Sequence, residues 1–134
     1  MILSSHNLNS ILVTMPRNVR FEDVEWEPTP RGYYLTDVKQ KTLWKNEETG
    51  ATIVLIKFPP GVADKLHTHP NANQIVLGFN GAINTPNGVV YPDGKNLNIT
   101  QKGEIHGKGS FAEESIALFY CCLLYTSPSP RDRS

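Results

Sequence analysis

The sequence predicts an all-β domain of the sandwich or barrel class, and three observations carry that prediction. Turn-forming clusters punctuate the chain at short intervals: Pro28-Thr-Pro30, Asn46-Glu-Glu-Thr-Gly50, Pro59-Pro-Gly61, Asn80-Gly81, Pro86-Asn-Gly88 and Pro92-Asp-Gly94. The segments between them are rich in Val, Ile, Thr, Phe and Tyr, whose branched or broad side chains suit a pleated surface better than a helix. No window of 11 or more residues carries apolar side chains at helical spacing.

Taken in order, residues 1–18 hold Ser, Asn and Pro with no sustained period and read as a loosely ordered arm. Val19 to Trp26 alternates imperfectly and reads as a short strand that the Pro28 and Pro30 pair stops. Gly32 to Trp44 is expected as a strand turning at Asn46–Gly50. Ala51 to Phe58 is nearly all apolar and too short for a stable isolated helix, so it is expected as a core strand. Lys65 to His69 reads as the next strand, Pro70 to Asn73 as a turn, and Gln74 to Phe79 as a strand closed by a hairpin at Asn80-Gly81. Leu97 to Thr100 and Ser115 to Cys122 complete the set, the latter as a buried strand. Leu124 to Ser134 changes composition abruptly and reads as adapter-derived sequence. The domain is accordingly expected at residues 19–123, with residues 124–134 a non-native tail.

With 134 residues the chain suits one core. Thirteen basic and 13 acidic residues balance, and no run of like charge offers a footprint for nucleic acid or an anionic membrane. No apolar run approaches the roughly 20 residues that span a bilayer. The stretch from Met1 to Met15 lacks a basic start and a continuous apolar centre, so no secretory leader is expected. The two cysteines, Cys121 and Cys122, are adjacent and poorly placed to bridge each other, which suits a reducing cytoplasm.

The chemistry concentrates at Gly61 to Gly81. His67 and His69 stand at i, i+2, so on an extended strand both rings leave the same face and could grip one ion. Five residues separate Gly61 from His67, four separate His69 from Gln74, and six separate Gln74 from Gly81; Gly103 and His106 follow later. At these residues the chain resembles the cupin superfamily, whose first motif is Gly, five residues, His-x-His, three or four residues, Glu, six residues, Gly. The second motif, Pro-x-Gly, two residues, His, is kept at Gly103 and His106, with Gln101 in place of proline. The resemblance implies a single jelly-roll β-barrel and one divalent transition metal ion, Fe, Ni, Zn or Mn, held by His67, His69, Gln74 and His106. Gln74 occupies the place of the usual glutamate.

That exchange has an electrostatic direction. Three imidazoles and an amide leave the ion its double charge, where a glutamate would halve it, so the metal is held less tightly and attracts anionic ligands more. Lys65 stands two residues before His67 and could clamp a ligand carboxylate or stand in solvent. Glu104 is an acid or base if it faces inward and otherwise a turn residue. Tyr33, Tyr34 and Tyr91 either line the cavity or pack.

The segments around Trp26, Phe58-Pro-Pro-Gly61 and His106-Gly107 look like those of small single-domain cupins, the ChrR-type anti-sigma domains and related dioxygenases. Expected functions are a metal-dependent, dioxygenase-like enzyme acting on a small oxygen-rich anion, a metal-dependent ligand sensor without turnover, or a sugar-acid isomerase or lyase. Expected partners are a small-molecule ligand and, from the resemblance, a second copy in a homodimer.

Overall fold

The computed structural model describes residues 16–29 and 34–123. Among these residues eight strands follow one short 3-10 turn at Phe21–Asp23: β1 (Glu27–Pro28), β2 (Lys39–Lys45), β3 (Thr52–Phe58), β4 (Gly61–Val62), β5 (Ala72–Thr85), β6 (Gly88–Val90), β7 (Leu97–Thr100) and β8 (Ser110–Leu123). All pairings are antiparallel, in the order β1-β2-β3-β8-β5-β6, with β4 added to β8 and β7 to β5. Two 14-residue strands, β5 and β8, pair along nearly their whole length and form the spine of the jelly roll.

Alternation sorts the spine into two faces. Inward point Gln74, Val76 and Gly78 on β5, opposite Cys121, Phe119 and Ala117 on β8 and beside Thr100 and Asn98 on β7. On β3, Val54 and Ile56 continue the Phe119 and Ala117 rows, and Phe58, opposite Ser115, adds the next. Around Phe58 the core closes: Phe111 stacks on it at 4.4 Å, Tyr34 and Phe119 approach at 5.9 Å, and Val38, Ile56 and Ala63 fill the rest. Burying a ring of this size stabilises the fold by roughly 1.5–3 kcal/mol.

The structure corrects four boundaries. Val19 to Trp26 is no strand: it crosses the outward face of the sheet, where Phe21 packs on Phe79 at 6.2 Å and Trp26 lies under the Lys41 and Lys57 ammoniums at 4.7 and 4.4 Å. The buried Lys41 also donates to the Phe21 carbonyl at 2.8 Å. The strand expected from Gly32 begins only at Lys39, and residues 30–33, including Tyr33, lie outside those described. Lys65 to His69 is not a strand but an irregular segment tied by two isolated bridges, Tyr34 to Asp64 and His67 to His106.

Asn80-Gly81, the fourth, makes no hairpin, and β5 runs through it to a turn at Pro86-Asn87. There the β5–β8 register shifts, and Gly81, at φ +94°, lies so close to β8 that a Cβ would collide with the Ser115 backbone and hydroxyl. A short-range hairpin signal yields to a long-range contact. The arm at residues 1–15 and the tail at residues 124–134 lie outside the described residues.

Candidate metal centre

His67 and His106 face each other across their bridge, exchanging backbone hydrogen bonds of 2.8 and 2.9 Å. That pairing brings their rings to 4.2 Å between centroids, with His69 at 5.1 Å from His67 and 4.8 Å from His106. One nitrogen from each ring lies within 4.8 Å of the other two. Two nitrogens held tetrahedrally at about 2.1 Å from one ion stand about 3.4 Å apart, so a small inward movement closes the site.

Hydrogen bonds indicate which nitrogen His67 and His106 offer. His67 Nδ1 is 2.7 Å from the Lys65 carbonyl, which can only accept, so Nδ1 carries the proton and the lone pair falls on Nε2. His106 Nδ1 faces the Glu104 carbonyl at 3.4 Å in the same sense. The Nε2 atoms of His69 and His106 are buried and lack a hydrogen-bond partner. Buried polar atoms without partners are costly, and a cation between the rings would satisfy both. The donor set and its orphaned nitrogens fit a divalent transition ion.

Burial, and after it the neighbouring His106 and His67, pushes the pKa of His69 below 6.5. Burial does the same to His106, the Glu104 carbonyl opposing it. Both rings are therefore neutral at physiological pH, the form that binds metal. A folded pKa below the unfolded one means that the unfolded chain takes up protons first. Stability of the metal-free protein should be full above about pH 6.5 and fall as pH drops from there through the lowered values. Thermal melting against pH checks this: the slope should lie below that point and flatten in a His69→Gln, His106→Gln double variant.

Gln74 is buried on the inner face, beside His69, and its Oε1 accepts the Cys121 thiol at 3.9 Å. Burial raises the Cys121 pKa, so that sulfur stays protonated and donates. The Lys65 side chain is exposed, and the residue reaches the site through its carbonyl. Glu104 is an exposed turn residue whose Oε1 accepts the Gln101 amide at 2.6 Å. Tyr34 packs on Phe58, and Tyr91 is 67% exposed.

Sequence reasoning passed over Asp64. Its Oδ1 accepts the Gly109 amide at 2.7 Å and its Oδ2 stands 4.0 Å from His67 Nδ1, which makes it the carboxylate that ties both histidine-bearing segments together. The signal was available, an acid three residues before the first histidine. Gly107 was also missed: at φ +114°, a Cβ there would collide with the Lys65 carbonyl and come within 3.1 Å of His67 Nδ1.

Fold and site together define the class: a cupin jelly roll with a three-histidine cluster that could hold a metal. The chain belongs to the ChrR cupin-like domain family, whose match covers residues 15–124. Among solved structures, the acetylacetone dioxygenase of Acinetobacter johnsonii is similar with a TM-score of 0.64 at 20% identity, over 82% of this chain and 75% of that one. The anti-sigma factor ChrR of Rhodobacter sphaeroides, in complex with SigE, gives 0.56 at 21%, over 91% and 68%. KdgF from Halomonas sp. gives 0.57 at 15%, over 77% and 92%. At these identities the likeness is one of fold. No curated protein sequence matches the chain.

Proposed function

We propose that this protein is a mononuclear metal-dependent cupin enzyme, dioxygenase-like, acting on a small oxygen-rich anion. The observation that carries the reading is the convergence of three imidazoles, with buried, unpartnered Nε2 atoms on His69 and His106. His67, His69 and His106 would hold the ion, with the Gln74 amide oxygen as fourth donor. When bound, the ion supplies a Lewis-acidic centre of undiminished double charge for an oxygen ligand. The protein's own groups orient it: the Lys65 carbonyl fixes the His67 tautomer, Asp64 holds the two segments in register, and the Cys121 thiol steadies the Gln74 amide. A role for the Lys65 ammonium in holding the anion belongs to the same proposal, and Lys65→Met should then raise KM at unchanged kcat.

The test is metal analysis of protein purified without added metal, followed by oxygen uptake with a panel of diketones and hydroxy-ketones. Uptake lost in His67→Ala supports the reading; stoichiometric metal with ligand binding and no turnover favours a sensing module instead. One observation favours that alternative, because Asp64, the acid beside the rings, is already engaged by the Gly109 amide. Conversion of an unsaturated uronate would point to the isomerase or lyase alternative. Gln74→Glu, by adding a negative charge beside the ion, should tighten metal retention roughly tenfold or more and weaken anion affinity. Unchanged values for both remove Gln74 from the coordination sphere.

A second copy of the chain is proposed as the protein partner. Two cross-strand rows on the outward face, Ile99-Ile75-Tyr120-Ile53 and Leu97-Leu77-Leu118, carry no charge, and Leu97 and Ile99 are 60% and 59% exposed. Such a strip meets its own copy across a two-fold axis without charge conflict. Light scattering should give a dimer that Leu97→Glu with Ile99→Glu reduces to monomer; a monomeric wild-type chain refutes this.

A further inference from the structure

Beyond the histidines, the inner face opens into a chamber of about 320 Å³. It begins one side-chain row past Gln74, at Val76 and Phe119, and no histidine lines it. Its deep wall is apolar: Phe58, Phe111, Phe119, Val76 and Ala117. The polar groups set into that wall are already engaged. Ser115 accepts the Ala82 amide at 3.1 Å and donates to the Glu113 carbonyl at 2.9 Å, while Asn80 Oδ1 accepts the Ile116 amide at 3.1 Å. At the mouth stand Asn96, Asn98 and Asp93; among the described residues Asp93 is the only charged one in the lining, which holds no lysine, arginine or histidine.

We propose that this chamber is a binding site for an uncharged, predominantly apolar organic group, with any polar end left at the mouth beside Asn96 and Asn98. The volume argues the size. A dry cavity of about 150 Å³ takes a benzene ring, so this one accommodates an aryl ring with a short substituent. The charge argues the class. A carboxylate in the chamber would lose its hydration, find no cationic partner among the described wall residues and face Asp93 across the opening. A neutral ring loses nothing comparable and covers the phenylalanine walls.

The proposal goes beyond the metal reading and does not depend on it, so it is tested on metal-free protein. Acetophenone and benzoate share a ring and differ in charge. Acetophenone should bind and shift the amide resonances of Val76, Ala117 and Phe119, with benzoate at least roughly tenfold weaker. Ala117→Phe fills the chamber and should weaken acetophenone by a similar factor. If that variant does not fold, Val90→Trp, at an exposed position of β6 on the chamber rim, narrows the opening and reads out the same effect.

Benzoate binding as tightly as acetophenone, no acetophenone binding, or binding that the chamber-filling variant leaves intact overturns the proposal. Metal content is read separately. A chain that takes acetophenone but retains no metal sinks the metal reading alone, and the reverse result sinks the chamber alone.

Discussion

Replacing His106 with alanine is expected to lower metal affinity more than about 100-fold, beyond the 10–100-fold typical of losing a group that merely supports a ligand. The ring does two things at once: it supplies a buried, unpartnered Nε2, and its residue bridges to His67 through paired backbone hydrogen bonds. Alanine keeps the backbone bridge and deletes only the donor, so the fold should survive. Metal stoichiometry after dialysis against a weak chelator, together with an unchanged far-ultraviolet spectrum, checks this. Full retention of metal in the variant would show that the three rings do not share an ion. His69→Ala should behave alike, since its Nε2 is in the same condition.

The second large effect is expected at Gly107. A methyl group there meets the Lys65 carbonyl, the acceptor that holds the His67 proton on Nδ1. Gly107→Ala should therefore weaken metal binding about 10–100-fold by displacing that carbonyl, on top of roughly 1–3 kcal/mol of backbone strain from its positive φ. Gly103 provides the control. It too has positive φ, +78°, but nothing lies within 4 Å of where its Cβ would stand. Gly103→Ala should share the strain and keep the metal. Equal losses of metal affinity in both variants would mean that backbone strain, and not the carbonyl contact, is responsible.

Much of the site was legible because its elements are local. His-x-His spacing, the glycines that bracket it and the later Gly103 and His106 can be read by counting along the chain. The strands Thr52–Phe58 and Leu97–Thr100 lie where branched and apolar residues run between turn signals. What failed was also local reasoning, applied where distant parts of the chain decide. Asn80-Gly81 has the composition of a hairpin, yet the close approach of Ser115 and continuous pairing with β8 keep β5 extended. Val19 to Trp26 has a strand's alternation, yet its aromatic rings pack against the sheet, Phe21 on Phe79 and Trp26 under two lysines.

The sequence by itself determined the all-β class, the family and the identity of the three imidazoles, because spacing and periodicity are properties of neighbours along the chain. Only the tertiary structure decided that an irregular segment carries His67 and His69, that Asp64 and Cys121 stand behind the site, and that the Lys65 carbonyl meets His67 Nδ1. It also decided that an apolar chamber opens one row beyond Gln74. These are contacts between residues far apart in the chain, 47 positions for Gln74 and Cys121. Such pairs form only when β5 and β8 align, and no local pattern encodes which of the side chains they bring together will meet.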